Sequence, residues 1–257
     1  MKNNVTVIKV GGAVVEDAAA LDGLLSRFVR VEGPKILVHG GGRTATAIAS
    51  RLGLKTQMIA GRRVTDSDML EVVTMVYGGL VNKRIVAALE ARGECALGIT
   101  GADCGVIIAH RRPATPVDYG FVGDIDRVDA ERLMTILDAG ITPVIAPLSF
   151  DGHTTLLNTN ADTIAASTAR ALAALCDVTL VYCFEKAGVL TNPDDESTVI
   201  PEIHRADFRG LVDAGTISGG MIPKIENALG AVEAGVKRVV ITSASSLALD
   251  SGTTILP

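Results

Sequence analysis

Two lysines occupy positions from which they could bring positive charge to a phosphate group. Lys9 lies in an apolar, β-branched run that leads directly into Gly11 and Gly12. Lys224 ends a segment that begins at Ser218 and contains two glycines and a proline, a composition typical of a helix start. Glycine lets backbone N–H groups approach a ligand closely, and a helix N-terminus attracts anions. Both motifs therefore favour phosphate binding, although each alone is equally consistent with a glycine turn beside a surface lysine.

A third glycine-rich segment, His39 to Gly42, also follows an apolar run and precedes a helical pattern. Ligands in open α/β sheets bind beyond the carboxyl ends of strands, so this segment and the first glycine pair could form one site. Gly40 to Ala45 matches the loose dinucleotide pattern G-x-G-x-x-A. However, no acidic residue lies between residues 43 and 65, where that pattern requires one. His39 itself is more often a packed strand-end residue than a catalytic base.

A fourth candidate, Asn158-Thr-Asn160-Ala-Asp162, leads from a strand-like run into a helical pattern. The amides of Asn158 and Asn160 can donate and accept hydrogen bonds, and the carboxylate of Asp162 can orient lysines. The same residue types also cap helices. Taken alone, this segment is more typical of a helix cap than of a binding site.

Composition excludes several classes of protein. The 257 residues are 48% hydrophobic, enough for a sizeable core in one large domain or two closely joined lobes. A net charge of −5 and only 3% aromatic residues argue against a nucleic-acid partner. The four cysteines show no C-x-x-C pairing, and the histidines are scattered, so neither a disulfide framework nor a metal site is predicted.

Two catalytic signatures and two targeting signals are also missing from the sequence. Gly-Lys never occurs, which excludes a P-loop, and no G-x-S-x-G of an α/β-hydrolase is present. The apolar stretch near the start is too short for a signal peptide and is interrupted by Lys9. No segment approaches the roughly 18 apolar residues of a membrane span. These observations predict a soluble cytoplasmic protein without a membrane partner.

Alternating strand and helix patterns predict an α/β protein, a three-layer αβα sandwich around a central, mainly parallel sheet. The predicted strands are Val5 to Val10, Lys35 to His39, Ala96 to Thr100, Thr142 to Ala146, Val178 to Cys183 and Arg238 to Thr242. The predicted helices cover about 17 to 31, 43 to 53, 67 to 92, 129 to 139, 161 to 175 and 223 to 234. Arg111 to Asp126, rich in proline and glycine, predicts a hairpin or lid at the sheet edge.

These motifs, in this order and spacing, resemble the amino acid kinase family, and within it the group that phosphorylates N-acylated glutamate. The resemblance spans nearly the whole chain. The segments that carry it are Lys9 to Gly12, His39 to Gly42, Gly61 to Asp66, Asn158 to Asp162, Gly188 to Leu190 and Gly219 to Lys224. Each motif alone is moderately specific, and together they are highly specific.

The resemblance implies a role for each matching residue in ATP-dependent phosphorylation of the γ-carboxylate of N-acetyl-L-glutamate, a step of arginine biosynthesis. Lys9 and Lys224 would stabilise the transferring phosphoryl group, and Asp162 would hold both lysines. The substrate-binding residues would be Gly41, Gly42, Arg63, Asn158 and Asn160, with the Arg63 guanidinium forking onto the α-carboxylate. The residues that would bind the nucleotide are Gly11, Gly12, Glu185, Lys186, Ala187, Gly188, Val189, Leu190, Thr216, Ile217 and Ser218.

Further properties of the whole chain follow from the resemblance. Residues 1–257 would form a single domain, with an N-terminal lobe to about residue 175 for substrate and dimerisation and a C-terminal lobe from about 176 for the nucleotide. ATP would act with Mg²⁺ held mainly by its phosphates, and no protein metal site is expected. The first strand begins close to the chain start, without an additional N-terminal helix, which predicts a homodimer insensitive to arginine.

Several residues depart from the family pattern. Glu185 and Lys186 stand where an aspartate and an apolar residue are usual. Arg62 replaces a leucine beside Arg63, and the cluster from His110 to Arg112 adds positive charge before the predicted lid. A cluster of this kind is more often surface charge, but it could also meet an anionic acyl group such as succinyl.

Alternative functions also remain open. N-acetylaminoadipate is an alternative acceptor, as are carbamate, uridylate, aspartate and free glutamate within the family. A non-catalytic amino-acid sensor on the same fold and a nicotinamide oxidoreductase are alternatives of other classes. The pairing of Lys9 and Lys224 with Asp162 argues against the sensor, and the weak glycine match argues against the oxidoreductase.

Overall fold

The computed structural model describes residues 4–192, 194–219, 221–247 and 252–257, without the side chain of residue 223. Gly220, one of the glycines before Lys224, therefore lies outside the described residues. The strands are β1 Asn4–Val10, β2 Lys35–His39, β3 Met58–Ile59, β4 Arg62–Arg63, β5 Ala96–Ile99, β6 Ile107–Arg111, β7 Gly123–Val128, β8 Thr142–Ile145, β9 Leu148–Phe150, β10 Leu156–Asn158, β11 Asp177–Phe184, β12 Glu202–His204, β13 Arg238–Ser243 and β14 Thr253–Leu256.

Helices alternate with these strands along the chain. They are α1 Gly12–Glu16, α2 Ala18–Phe28, α3 Gly42–Arg51, α4 Ser67–Val73, α5 Asn82–Glu90, α6 Ala130–Asp138, α7 Ala161–Ala173, α8 Arg205–Asp213 and α9 Met221–Glu233. Several begin at a side-chain cap: Asp17, Asp66 and Asp129 each accept a hydrogen bond from a backbone N–H of the first turn of α2, α4 and α6.

The central sheet contains eight strands in the order β12-β14-β13-β11-β1-β2-β8-β5 within the described residues. All neighbouring pairs are parallel except β13 with β14. β1 lies between β11 and β2, with Lys9 opposite Tyr182 on one side and Val38 on the other. The prediction of a mainly parallel α/β sheet is confirmed, and all six predicted strands are found in it.

Helices cover both faces of this sheet, and β1 shows how the sequence directs them. Val5 and Val7 belong to a core cluster with α6, α7 and α9, whereas Ile8 and Val10 belong to a cluster with α2 to α5. Side chains alternate between the faces of a strand, so Lys9 points to the same face as Val7. This face is covered by α7, the helix that carries Asp162.

A smaller four-stranded sheet, in the order β10-β9-β6-β7, and the hairpin of β3 with β4 lie beyond the central sheet. β6 and β7 pair antiparallel and flank most of the segment predicted as a hairpin or lid, confirming that part of the prediction. Gly120, in the segment that joins β6 and β7, forms a β-bridge with Thr65, which follows β4. A Cβ at residue 120 would lie 2.1 Å from the Thr65 carbonyl oxygen, and φ there is +73°, so glycine is required.

The helical run Ser67–Glu90 passes continuously through α4, a π-helical stretch from Thr74 to Val81, and α5. It has 24 residues and a mean hydropathy of 1.3 over its most apolar window, so by length and composition it could cross a membrane. The expectation that no segment approaches such a composition is therefore wrong. Its buried side chains, among them Val73, Tyr77 and Ile85, pack in the core, and core helices of soluble proteins often have this composition.

The suggested division of the chain near residue 175 falls between α7 and β11. The central sheet continues across this point, because β11 pairs with β1 along seven residues. The division into two lobes remains a prediction.

Candidate active site

A cavity of about 540 Å³ opens at the carboxyl ends of β1, β2 and β11. This is the edge at which parallel α/β sheets bind ligands. Its walls come from both faces of the sheet and from the smaller sheet. The lining residues include Gly11, Gly12, Gly40, Gly41, Gly42, Met58, Arg62, Arg63, Tyr77, Asn158, Asn160, Phe184, Glu185, Lys186, Gly188, Met221, Lys224 and Ile241.

Lys9 and Asp162 form an ion pair beside this cavity. The Lys9 Nζ lies 2.7 Å from the Asp162 Oδ1, and the Lys9 side chain is only 8% exposed. β1 delivers the lysine, and the first turn of α7 delivers the aspartate. Asn160 caps that helix by accepting hydrogen bonds from the backbone N–H groups of Asp162 and Thr163, at 2.8 and 3.2 Å. Asn160, predicted to bind substrate, therefore also fixes the position of Asp162.

Lys224 lies in the first turn of α9 and projects toward the same place. Its Nζ sits 3.9 Å from the ring centroid of Phe184, and the Nζ of Lys9 sits 5.1 Å from that centroid. Burial lowers the pKa of the Lys224 ammonium group. Asp162 forms an ion pair with Lys9, whereas Lys224 makes no ion pair among the described residues. That Asp162 holds both lysines remains a prediction. Phe184 is a contact that the sequence analysis missed.

The two glycine loops after β1 and β2 lie directly against each other. A Cβ at Gly40 would lie 3.0 Å from the Gly12 backbone nitrogen, tighter than nearly all real contacts. A Cβ at Gly41 would meet the Tyr77 ring at 3.1 Å. Close packing therefore requires glycine at both positions, and it leaves backbone N–H groups free of Cβ interference near the cavity. The expected convergence of the two loops is observed.

Arg63 is buried at the cavity wall and is already well bonded. Its Nη2 donates to the Gly42 carbonyl oxygen at 2.7 Å and to the Thr46 hydroxyl at 2.9 Å, and its Nη1 donates to the Thr56 hydroxyl at 3.2 Å. These contacts hold the second glycine loop. They also occupy the terminal nitrogens, so a two-pronged contact with a substrate carboxylate would require Arg63 to exchange partners.

Asn158 reaches the same wall from β10. Its side-chain amide donates to the Thr65 hydroxyl at 2.9 Å, and that hydroxyl donates to the Arg63 carbonyl oxygen at 3.1 Å. Asn158 and Arg63 are therefore linked through Thr65, a fully buried residue that the sequence analysis did not select. Only the neighbouring Arg63-Val-Thr segment, matched to the family, indicated it.

The predicted nucleotide residues divide into two groups. Five of them line the cavity: Gly11, Gly12, Glu185, Lys186 and Gly188. Met221 and Ile241, which were not predicted, line it as well. Six others do not contribute to the lining: Ala187, Val189, Leu190, Thr216, Ile217 and Ser218. The Val189 and Ile217 side chains are 1% exposed and pack in the core, so any nucleotide contact at these two positions would come from the backbone.

Each of the three cationic residues before the predicted lid has an acidic partner. His110 contacts Asp126 at 2.6 Å, Arg111 lies 3.7 Å from Asp118, and Arg112 is paired with Asp124. The interpretation of this cluster as surface charge fits these pairs.

Arg62 differs from that cluster. It lines the cavity and is half-buried, and its side chain makes no ion pair or hydrogen bond to any described residue. Burial and the positive charge of Arg112 lower its pKa, but a guanidinium stays charged at neutral pH. Arg62 therefore adds to the cavity wall beside Arg63 a positive charge that has no ion-pair partner among the described residues.

A family model described as the amino acid kinase family matches residues 4–243. The chain belongs to the amino acid kinase family. Two curated relatives are both named acetylglutamate kinase: one from Bacteroides fragilis is 58% identical over 99% of this chain and 98% of its own length, and one from Methanopyrus kandleri is 43% identical over 97% and 99%.

Solved structures agree with the fold of this amino acid kinase. The smu.665 protein of Streptococcus mutans has a TM-score of 0.80 at 28% identity and covers 98% of both chains. Carbamate kinase from Giardia lamblia has a TM-score of 0.69 at 17% identity and covers 99% of this chain and 98% of its own. The second likeness bears on the fold alone.

Within the described part of this amino acid kinase, no group of three or more histidine, cysteine, aspartate or glutamate side chains is placed to hold a metal ion. Nucleotide phosphates and water supply the oxygen ligands that Mg²⁺ usually takes.

His39 of this amino acid kinase packs behind the glycine loop and not in the cavity. It is fully buried, its Nδ1 lies 2.7 Å from the Gly40 carbonyl oxygen, and its Nε2 lies 3.1 Å from the Asn82 side-chain nitrogen. Burial lowers its pKa to about 4. A neutral ring that donates through Nδ1 and accepts through Nε2 fits both contacts. The packed strand-end interpretation of His39 is confirmed.

This burial predicts a pH-dependent stability. An unperturbed histidine has a pKa of 6.5, and His39 in the folded protein has one of about 4. Between these values the unfolded chain binds more protons, so stability is complete above pH 6.5 and falls as the pH drops toward 4. The free energy of unfolding is therefore expected to be about 2 kcal/mol lower at pH 5 than at neutral pH.

Urea unfolding of the wild type and of His39→Gln at pH 7.5 and pH 5 measures this difference, and His153→Gln, at an exposed histidine, is the control. An unchanged pH dependence in His39→Gln would contradict the assignment.

Proposed function

We propose that this protein transfers the γ-phosphoryl group of ATP to the side-chain γ-carboxylate of an N-acylated glutamate. With N-acetyl-L-glutamate the product is N-acetyl-L-glutamyl 5-phosphate, an intermediate of arginine biosynthesis. The observation that carries the proposal is the convergence of Lys9, Lys224 and Asp162 on a glycine-lined cavity. The acceptor is supported by the relatives named acetylglutamate kinase, which align over nearly the whole chain.

The chemistry needs positioning and positive charge more than it needs a base. A γ-carboxylate with a pKa of about 4.3 is ionised at neutral pH and can attack directly. One of its oxygens forms a bond to the γ-phosphorus while the bond to the ADP oxygen breaks, and ADP leaves with that electron pair. Lys9 and Lys224 stabilise charge on the transferring group, and backbone N–H groups of the two glycine loops add to this. The position of His39 outside the cavity is consistent with a reaction that needs no histidine base.

We further propose that the nucleotide lies on the β11 side of the cavity. Glu185, Lys186 and Gly188 form that wall, and Mg²⁺ would be held mainly by the ATP phosphates. The acyl-amino acid would lie on the opposite side, against Gly41, Gly42, Arg63 and Asn158.

Other whole-protein properties are proposals of the same kind. We propose a homodimer located in the cytoplasm. Met75, in the middle of the Ser67–Glu90 helical run, is apolar and 54% exposed, which is consistent with a subunit contact there.

An ADP-release assay over a panel of acceptors tests the proposed function. The panel contains N-acetylglutamate, N-succinylglutamate, N-acetylaminoadipate, glutamate, carbamate and UMP. ADP release that depends on an acylated glutamate supports the proposal. Release that depends only on carbamate, UMP or free glutamate would assign the chain to another activity of the family. No release with any acceptor would favour a non-catalytic sensor.

The unpaired Arg62 favours a second candidate, the same reaction on N-succinylglutamate. A succinyl group carries a carboxylate that acetyl lacks, and Arg62 offers that carboxylate a partly desolvated partner beside the proposed substrate wall. A charge-assisted hydrogen bond contributes about 1.5–3 kcal/mol.

Arg62→Leu is therefore expected to lower kcat/KM for N-succinylglutamate by about 10- to 100-fold. The same substitution should change kcat/KM for N-acetylglutamate by less than about threefold, since acetyl has no charge to lose. Arg111→Leu is the matched control, because the Arg111 guanidinium is half-exposed and already has Asp118 as its partner. Equal losses of kcat/KM for both substrates in Arg62→Leu would refute this role. So would a wild-type kcat/KM for N-succinylglutamate that is no higher than the one for N-acetylglutamate.

A further inference from the structure

Phe184 ends β11 at the point where the two lysines meet. Its ring is half-buried, lines the cavity, and stacks on Tyr182 with centroids 5.7 Å apart and planes 5° from parallel. The Nζ of Lys224 lies 3.9 Å, and that of Lys9 5.1 Å, from the Phe184 centroid. Stacking on Tyr182 restricts the orientation of the ring, so its face offers a fixed surface to both ammonium groups.

Only one of the two ammonium groups beside this ring is in contact with a carboxylate in the part of the chain that the structure describes. Lys9 has Asp162 at 2.7 Å, whereas Lys224 has no ion pair among the described residues. Lys224 experiences attraction from Asp162 and Glu185 and repulsion from Lys9, and its burial disfavours the charged form. Two ammonium groups must nevertheless stay close together to act on one phosphoryl group. The negative face of an aromatic ring attracts cations, and more strongly where water is excluded.

We propose that Phe184 is a positioning residue that holds the Lys224 and Lys9 ammonium groups over its ring at the phosphoryl-transfer site. The role rests on the proposed function, since it is the lysines that touch the transferring group. Phe184 acts through them: it offsets their mutual repulsion and limits the rotamers of Lys224, the nearer of the two. Without the ring, the Lys224 chain would be free to leave the cavity wall.

Phe184→Leu tests this, with Phe184→Tyr as the conservative variant. Leucine is apolar but lacks the aromatic face, while tyrosine keeps it. Phe184→Leu is expected to lower kcat about fivefold at saturating ATP and acceptor, with KM values within about twofold of wild type. The reason is that the contact of the lysine ammonium groups with the ring contributes most in the transition state of phosphoryl transfer. Phe184→Tyr should retain at least half of the wild-type kcat. Equal losses in both variants would overturn the proposal.

A second readout does not depend on turnover. The ε-carbon NMR signal of Lys224, identified by its absence in Lys224→Met, reports the titration of that ammonium group in the free protein. Removal of the ring is expected to move its midpoint to lower pH by about half a unit, and Phe184→Tyr should leave it near the wild-type position. Asp162, Glu185 and Lys9, the other charged groups that act on Lys224, remain unchanged in both variants. An unmoved midpoint in Phe184→Leu would overturn the proposal.

The two readouts separate this proposal from the proposed function. If wild-type protein phosphorylates no acylated glutamate, the function falls, and the NMR titration still decides whether Phe184 stabilises the charged Lys224. A merely structural Phe184 would lower the Tm of the leucine variant without moving that midpoint.

Discussion

Lys9→Met is expected to lower kcat by about 100- to 1,000-fold. The substitution removes a positive charge beside the cavity in which charge develops on the transferring phosphoryl group, and a single preorganised donor of this kind is worth about that factor. It also leaves Asp162 without its partner at 2.7 Å, which adds a loss of stability. Methionine keeps the length of the side chain. Initial rates of ADP release at saturating ATP and acceptor measure the effect.

Lys35→Met is the matched control for this prediction. The Lys35 side chain is also 8% exposed, it also lies in a central strand, and it also pairs with a carboxylate, that of Glu94, at 3.1 Å. It faces away from the cavity, so its loss should lower Tm without a comparable loss of kcat. If Lys35→Met reduced kcat as much as Lys9→Met, general destabilisation and not phosphoryl stabilisation would explain both.

Arg63→Lys is expected to raise the KM for the acylated amino acid by about 10- to 100-fold, with a smaller effect on kcat. Lysine keeps the charge but cannot reproduce the guanidinium contacts to the Gly42 carbonyl oxygen and to the hydroxyls of Thr46 and Thr56. The second glycine loop would then lose its tie to β4, and a substrate carboxylate would lose its partner. Steady-state kinetics with varied acceptor at saturating ATP measure both constants.

Arg92→Lys serves as the control for Arg63→Lys. Arg92 lies two residues after the end of α5, donates a hydrogen bond to the Ala88 carbonyl oxygen at 2.7 Å, and does not line the cavity. Its replacement should leave the KM for acceptor unchanged. A normal KM in Arg63→Lys would show that the substrate carboxylate is bound elsewhere on the wall, for example by Arg62.

The architecture could be predicted because its signals are local. Short apolar runs such as Lys35 to His39 are buried on both faces, which is the pattern of a parallel strand. Convergence of the first two glycine loops also followed from a general rule about strand ends. The shorter strands, such as β9 and β10, and helix α8 carry weak patterns, and their formation depends on packing partners distant in the chain.

The site could be predicted only in part, because several of its contacts are long-range. Nothing near Phe184 in the sequence indicates that lysines 175 residues upstream and 40 residues downstream meet on its ring. Thr65 likewise acquires a role only when β10 brings Asn158 to it. Ile217 was predicted to contact the nucleotide because its neighbourhood resembles a nucleotide segment. Its apolar side chain is buried in the core, so the predicted contact would have to come from its backbone.

The proposed function requires that the terminal phosphoryl group of ATP is transferred to a side-chain carboxylate of an acylated glutamate. The most direct test identifies the product: hydroxylamine present during the reaction with ATP and Mg²⁺ converts an acyl phosphate to a stable hydroxamate. We expect hydroxamate and ADP in equal amounts with N-acetylglutamate or N-succinylglutamate, and little of either with Lys9→Met. ADP release in the presence of these acceptors without hydroxamate, or hydroxamate formed only with free glutamate, would contradict the proposed function.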